Sequence, residues 1–156
     1  MEITKYYYHS PIGYLLICGS VDGISKIEFT DLESIQQDNS IPAFLKDCVD
    51  QLDQYFSGSL KVFSLKLDIE GTEFQKKVWN QLEKIPFGEK ASYGQIAVKV
   101  GGKNYMRAVG GANNRNPIPI VVPCHRVIGA GGQLVGYAGG MWRKEWLLKH
   151  ESATLI

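Results

Sequence analysis

Polar and apolar positions alternate at the start of the chain and turn helical further on. Ile3 to Tyr8, Gly13 to Cys18 and Ile24 to Phe29 carry the period-two pattern of half-buried strands, and Ser10-Pro11 and Asp22-Gly23 supply turn formers between them. The spacing predicts an antiparallel meander. Over 42–57 the period changes: Phe44, Leu45, Val49, Leu52 and Phe56 recur at helical intervals until Gly58 stops them. Val62 to Leu67 then alternates like another strand. Residues 1–70 thus read as a small α+β unit.

Residues 71–156 change character. Thr72-Glu73-Phe74-Gln75 is a capping-box sequence, in which Thr72 caps a helix and Gln75 reaches back to the cap. Phe74, Val78, Leu82 and Ile85 supply a buried stripe that Pro86-Phe87-Gly88 ends. A second box, Ser92-Tyr93-Gly94-Gln95, starts a short helix through Val100 that Gly101-Gly102 closes, and a third helix begins at about Asn104. Two short helices across a glycine-containing turn have the spacing of a helix-turn-helix. Projected at about 100° per residue, the third helix sets Tyr105, Ala108, Val109 and Ala112 on one side and Lys103, Arg107, Gly110, Gly111 and Asn114 on the other. Adjacent glycines are costly inside a helix, so this face is reserved either for close approach of another surface or for tight packing of a neighbouring helix. The pattern alone leaves both open. Met141 to His150 spaces Trp142, Trp146 and Leu147 as an amphipathic packing helix.

Composition narrows the class. The chain has 156 residues, 44% hydrophobic and 21% charged, without internal repeats or low-complexity runs. At this size about 70% of the unfolded surface can be buried. The first ten residues lack the basic-then-apolar pattern of a signal peptide, and no apolar run reaches the length of a membrane span, so a soluble, cytoplasmic protein is expected. The overall charge of +1 conceals an asymmetry. Residues 1–70 hold five Lys or Arg against eleven Asp or Glu, a net of −6, and residues 71–156 hold twelve against five, a net of +7. A basic face for a polyanion on the second half is one reading; a dipolar surface without a partner is the other.

Cys18, Cys48 and Cys124 are an odd, widely spaced set without CxxC or paired histidines, which argues against a disulfide framework and a zinc site. Cys18 and Cys48 read as small buried hydrophobes. Cys124 differs: in Val122-Pro123-Cys124-His125-Arg126-Val127-Ile128-Gly129 a thiol adjoins both an imidazole and a guanidinium, the groups that convert a thiol into a thiolate nucleophile. Pro119 and Pro123 disfavour a central strand, so Ile118 to Val122 is expected as an irregular or edge segment near the surface. Were the backbone extended at Cys124 and His125, their side chains would point apart; a turn or a bridging water would restore proton transfer. The carboxylates available to orient His125 in this half are Glu73, Glu83, Glu89, Glu145 and Glu151. The glycine-dense run GAGGQLVGYAGG over 129–140 lacks the GxGxxG pattern and suits a loop that folds over a flat group, with Tyr137 as its aromatic residue.

These pieces resemble the O6-alkylguanine-DNA alkyltransferase family, also called methylated-DNA-protein-cysteine methyltransferases. The resemblance spans nearly the whole chain and is most specific at Ile120 to Val127, which matches the family's PCHR core. GTEFQKKVW at 71–79, SYGQIA at 92–97, RAVGGA at 107–112, NP at 116–117 and KEWLLKHE at 144–151 support it. The implied fold is α+β, with a ribonuclease-H-like antiparallel sheet and helix over 1–70 and a mostly helical, winged-helix-like domain over 71–156. The implied activity is a single-turnover transfer of an alkyl group from O6 of guanine, and possibly O4 of thymine, to Cys124. Glu151, His125 and a water would relay the thiol proton. Asn116 would brace the turn, and Tyr93 would rotate the lesion out and protonate the purine. Val127, Ala138, Tyr93 and Tyr137 would form the base pocket; Ala138 stands where some members carry serine, so only its amide role carries over. Arg107 would replace the extruded nucleotide, and Lys103, Gly110, Gly111, Asn114 and Arg126 would complete the DNA-facing set. The implied partner is double-stranded DNA containing O6-alkylguanine, bound by a monomer, with no metal, organic cofactor or membrane. A cysteine hydrolase and a non-catalytic binder of alkylated DNA are the competing readings.

Overall fold

The computed structural model describes residues 2–155. Its internal contacts divide the chain between Glu70 and Gly71 into two compact units, and the fold is α+β.

In the first unit, β1 (Thr4–Ser10), β2 (Gly13–Ser20) and β3 (Gly23–Phe29) pair antiparallel in the order β1-β2-β3, the meander that the alternation predicts. Tyr8 lies opposite Leu15, and Ile17 opposite Ile27, so their side chains share one buried face. Helix α1 (Lys46–Phe56) buries Cys48, Val49, Leu52 and Tyr55, and its Asp53 accepts a 2.5 Å hydrogen bond from the Tyr8 hydroxyl. The outer edge of β1 is covered by a side chain: the Gln37 amide accepts from Tyr7 N and donates to Tyr7 O.

Three expectations fail in this unit. Cys18, read as a buried hydrophobe, is only partly covered on β2. Phe44 is 51% exposed because 43–45 form a 3-10 turn whose tighter period sends Leu45 inward instead. Val62 to Leu67 is not a strand; it makes one parallel bridge, Leu67 to Ile24, and Val62 is exposed. The Gln51 side chain, not a neighbouring strand, takes both Ser64 N and Ser64 O.

The second unit contains α2 (Glu73–Glu83), α3 (Tyr93–Val100), α4 (Met106–Asn114) and α5 (Met141–Thr154). A short parallel pair, β4 (Ala91–Ser92) with β5 (Val127–Ile128), joins the start of α3 to the segment after Cys124. Both capping boxes form with reciprocal bonds, Thr72 with Gln75 and Ser92 with Gln95. The Trp79 indole donates to Ala112 O at 2.8 Å and ties α2 to α4.

Ile118 to Val122 departs from its predicted surface position. Ile118, Ile120 and Val122 are fully buried in a turn closed by Val122 N to Ile118 O, with Ile120 at φ 75°. Asn116 makes that burial tolerable: its amide donates to Val122 O at 2.8 Å, and its oxygen accepts from Ile118 N at 3.0 Å. Helix α5 also differs from its apolar pattern. Trp142 is 52% exposed, while Arg143, Lys144 and Glu151 face inward with Leu147 and Leu148. Buried ions need partners, and the site provides them.

Candidate active site

Cys124, His125 and Arg126 form one 3-10 turn, and all three are buried. The turn opens on Pro123, and Arg126 N closes it on Pro123 O at 3.0 Å. The backbone is therefore not extended at Cys124, which removes the obstacle to communication between thiol and imidazole. The thiol donates to the Tyr137 hydroxyl at 3.8 Å. Burial pushes its pKa above the ordinary thiol value; hydrogen bonds from Asn116 and Tyr137 and the Lys144 charge offset only part of that. At rest Cys124 is a thiol that needs a base.

His125 is fully buried, and its Nε2 lies 2.7 Å from Glu151 Oε2. Of the five carboxylates that the residues alone leave open, the fold brings Glu151, the one the family resemblance implies, to the ring. Burial holds the His125 pKa below the usual value despite Glu151, so the ring is neutral at neutral pH. Nε2–H then donates to the carboxylate, and Nδ1, which has no hydrogen-bond partner among the described residues, keeps an open lone pair.

Arg126 is corrected from a DNA contact to an internal one. Its Nε and Nη2 donate to the two oxygens of Glu151 at 2.8 and 3.0 Å, and Nη1 donates to Ile85 O at 2.7 Å. Only 6% exposed, it has no free face for phosphate. Burial works to raise the Glu151 pKa, but the hydrogen bonds and charges around the carboxyl hold it well below the usual range. With His125 neutral, the guanidinium is the charge that keeps Glu151 ionised.

The sequence reading missed Lys144. It is fully buried, donates to Val135 O at 3.1 Å, and stands 5.9 Å from the ring centroids of both Tyr93 and Tyr137. Burial lowers its pKa, and the charge of an ionised Cys124 raises it again. The available signal was a lysine three residues ahead of Leu147 on the same helical face, which a purely apolar stripe search discards. Tyr93 donates its hydroxyl to the same Val135 carbonyl at 3.2 Å, so that oxygen gathers both side chains under the 129–140 loop. Arg143 pins the end of that loop by donating to Gly139 O at 2.9 Å. Of the remaining pocket candidates, Val127 is buried on β5 and Ala138 is exposed in the loop.

The helix-turn-helix is formed by α3, the Gly101-Gly102 turn and α4. Arg107, Gly111 and Asn114 are exposed on α4, with Lys103 exposed just ahead of it. A methyl group placed on Gly111 would meet nothing within 4 Å, and one on Gly110 would reach only Tyr93 Cε1 at 4.0 Å. Tight helix packing is thus excluded as the reason for these glycines within the described residues. No group of three or more His, Cys, Asp or Glu is placed to hold a metal ion among the described residues, and no helix there is long and apolar enough to cross a membrane.

Residues 3–69 match the family description "6-O-methylguanine DNA methyltransferase, ribonuclease-like domain", and residues 73–153 match "6-O-methylguanine DNA methyltransferase, DNA binding domain". A methylated-DNA–protein-cysteine methyltransferase of Methanosarcina acetivorans is 49% identical over 150 residues, covering 94% of this chain and 96% of its own. The one of Mycobacterium leprae is 48% identical over 94% of this chain and 91% of its own. The crystal structure of Mycobacterium tuberculosis OGT in complex with DNA superposes with a TM-score of 0.86 at 43% identity, covering 99% of this chain and 94% of that one.

Proposed function

Because the chain belongs to the 6-O-methylguanine DNA methyltransferase family, we propose that it repairs DNA directly, by moving an alkyl group from O6 of guanine to the sulfur of Cys124. The observation that carries this reading is the buried thiol beside a neutral histidine whose far nitrogen is bound to an ionised carboxylate. Nδ1 takes the thiol proton through a water, and the resulting imidazolium is stabilised by Glu151, which Arg126 keeps charged. The thiolate attacks the alkyl carbon. A carbon–sulfur bond forms as the carbon–O6 bond breaks, the electron pair stays on the purine, and Tyr93 returns a proton to the ring. The product is a thioether without a hydrolysable bond, so each molecule acts once.

The reaction requires the nucleotide to leave the duplex, at a cost of roughly a few kcal/mol that is smaller for a weakly paired damaged base. Helix α4 offers a flat glycine face for close approach and Arg107 as the group that fills the vacated stack. Lys103 and Asn114 contact the backbone beside it, and the protein binds alkylated duplex as a monomer. Tyr93, Val127, Tyr137 and the Ala138 amide hold the extruded base. Lys144 stands behind the two tyrosines as an ammonium that favours the thiolate form of Cys124.

Two substitutions test this. Cys124→Ser retains binding to an O6-methylguanine duplex and loses transfer; surviving transfer would assign the nucleophile elsewhere, and sustained ester hydrolysis by the unmodified protein would favour a hydrolase. Arg107→Ala slows repair of duplex far more than reaction with free O6-alkylguanine, and equal losses on both would remove the wedge.

A further inference from the structure

Away from Cys124, the second unit carries a groove of about 430 Å³ between the end of α2, the turn that follows it and the outer face of α3. Its floor is mainly apolar, from Ile85, Pro86, Ala91, Ile96 and the exposed Val98, with the amides of Gln81 and Gln95 beside them. Three lysines rim it from three different places: Lys84 at the end of α2, Lys90 ahead of β4, and Lys99 on α3. Glu89 is the one acidic lining residue, and among the described residues none of the three lysines has an ion pair. The groove therefore presents an uncompensated positive rim around an apolar concavity, within the range of roughly 300–1,000 Å³ typical of ligand sites.

The wall is held rigid from behind. Ile85 O accepts from Arg126, Gly88 N lies 3.5 Å from Glu151 Oε1, and the Ser92–Gln95 box fixes the start of α3. A preformed groove avoids the ordering cost that weakens most peptide contacts. We propose that it docks a short acidic segment of a partner protein, which places one or two large apolar side chains on the floor and carboxylates beside Lys84, Lys90 and Lys99. A nucleic-acid backbone matches the rim but not the floor. Phosphates require polar donors and gain nothing from Ile85, Ile96 and Val98.

The test is selection of random twelve-residue peptides displayed against the full-length protein, followed by fluorescence polarisation with the most enriched sequence synthesised and labelled. Enriched sequences combine Asp or Glu with Leu, Ile, Phe or Trp. Binding falls at least tenfold for the double variant Lys90→Glu/Lys99→Glu and for Val98→Asp, and it weakens with added salt. Circular dichroism and alkyl transfer without peptide stay unchanged in both variants, because neither touches the Cys124 site. The proposal is overturned by no enrichment, enrichment without acidic bias, binding indifferent to both variants, or self-association of the protein through this face. A loss of duplex affinity in Lys90→Glu/Lys99→Glu as large as the loss of peptide affinity also overturns it, and assigns the rim to DNA.

Discussion

At Cys124 burial outweighs the neighbouring hydrogen bonds and the Lys144 charge, and the thiol pKa stays above its ordinary value. Burial alone favours the thiol, so every group that stabilises the anion should be visible in the pH dependence of alkyl transfer. Lys144→Met removes the buried ammonium, which should slow transfer roughly tenfold at neutral pH, equivalent to about 1.4 kcal/mol. It should also shift the pH–rate profile upward; a slower rate with an unmoved profile would mean that Lys144 only props the loop. Arg126 makes a different prediction. Arg126→Met leaves Glu151 buried without its compensating charge and should destabilise the protein by about 3–5 kcal/mol, with duplex binding affected only through folding. A folded variant that loses affinity with a reduced salt slope would return Arg126 to the DNA-facing set. His125 and Glu151 both have folded pKa values below their ordinary ones, so each contributes stability above its ordinary value and loses it as the pH falls. Denaturant titration should show stability declining first below 6.5, where His125 takes up a proton more readily when unfolded, and again below 4.5 from Glu151. Glu151→Gln should remove the second decline.

At the scale of elements, α4 carries a helix defect that function explains. Among the described residues nothing lies within 4 Å of a methyl group built on Gly111, so Gly111→Ala should stabilise the folded protein by about 0.5–1 kcal/mol through helix propensity alone. The same substitution should weaken duplex binding, because the backbone is held back from the groove. A variant that is more stable and binds equally well would show that the glycine face is not a contact surface. Elements with local determinants were legible in the sequence: the meander from its alternation, α2 and α3 from their capping boxes, and the helix-turn-helix from Gly101-Gly102. Elements set by longer-range satisfaction were not. Val62 to Leu67 alternates like a strand, but Gln51 takes its backbone bonds. Ile118 to Val122 carries the prolines of a surface segment, but Asn116 satisfies its polar groups and lets it sink. In α5 the inward face holds Arg143, Lys144 and Glu151, so an apolar-stripe search points Trp142 the wrong way.

Across the molecule, charge and architecture divide at the same place. The acidic 1–70 unit contains the three-stranded sheet, and the basic 71–156 unit contains the nucleophile, the buried ion cluster and the glycine-faced helix. The reactive thiol at Cys124 could be recognised from its residues and Glu151 from the family resemblance, whereas the burial of the Glu151–His125 pair and the inward turn of Arg126 needed the fold. Both follow from packing α5 against the 3-10 turn, a contact between segments about 25 residues apart. Intact-mass measurement of the protein after incubation with an O6-methylguanine duplex tests the central claim most directly. One added methylene per molecule, mapped to the peptide containing Cys124 and matched by loss of the lesion, is the predicted result. An unchanged mass with a repaired duplex, or a methyl group on Cys18 or Cys48, would contradict it.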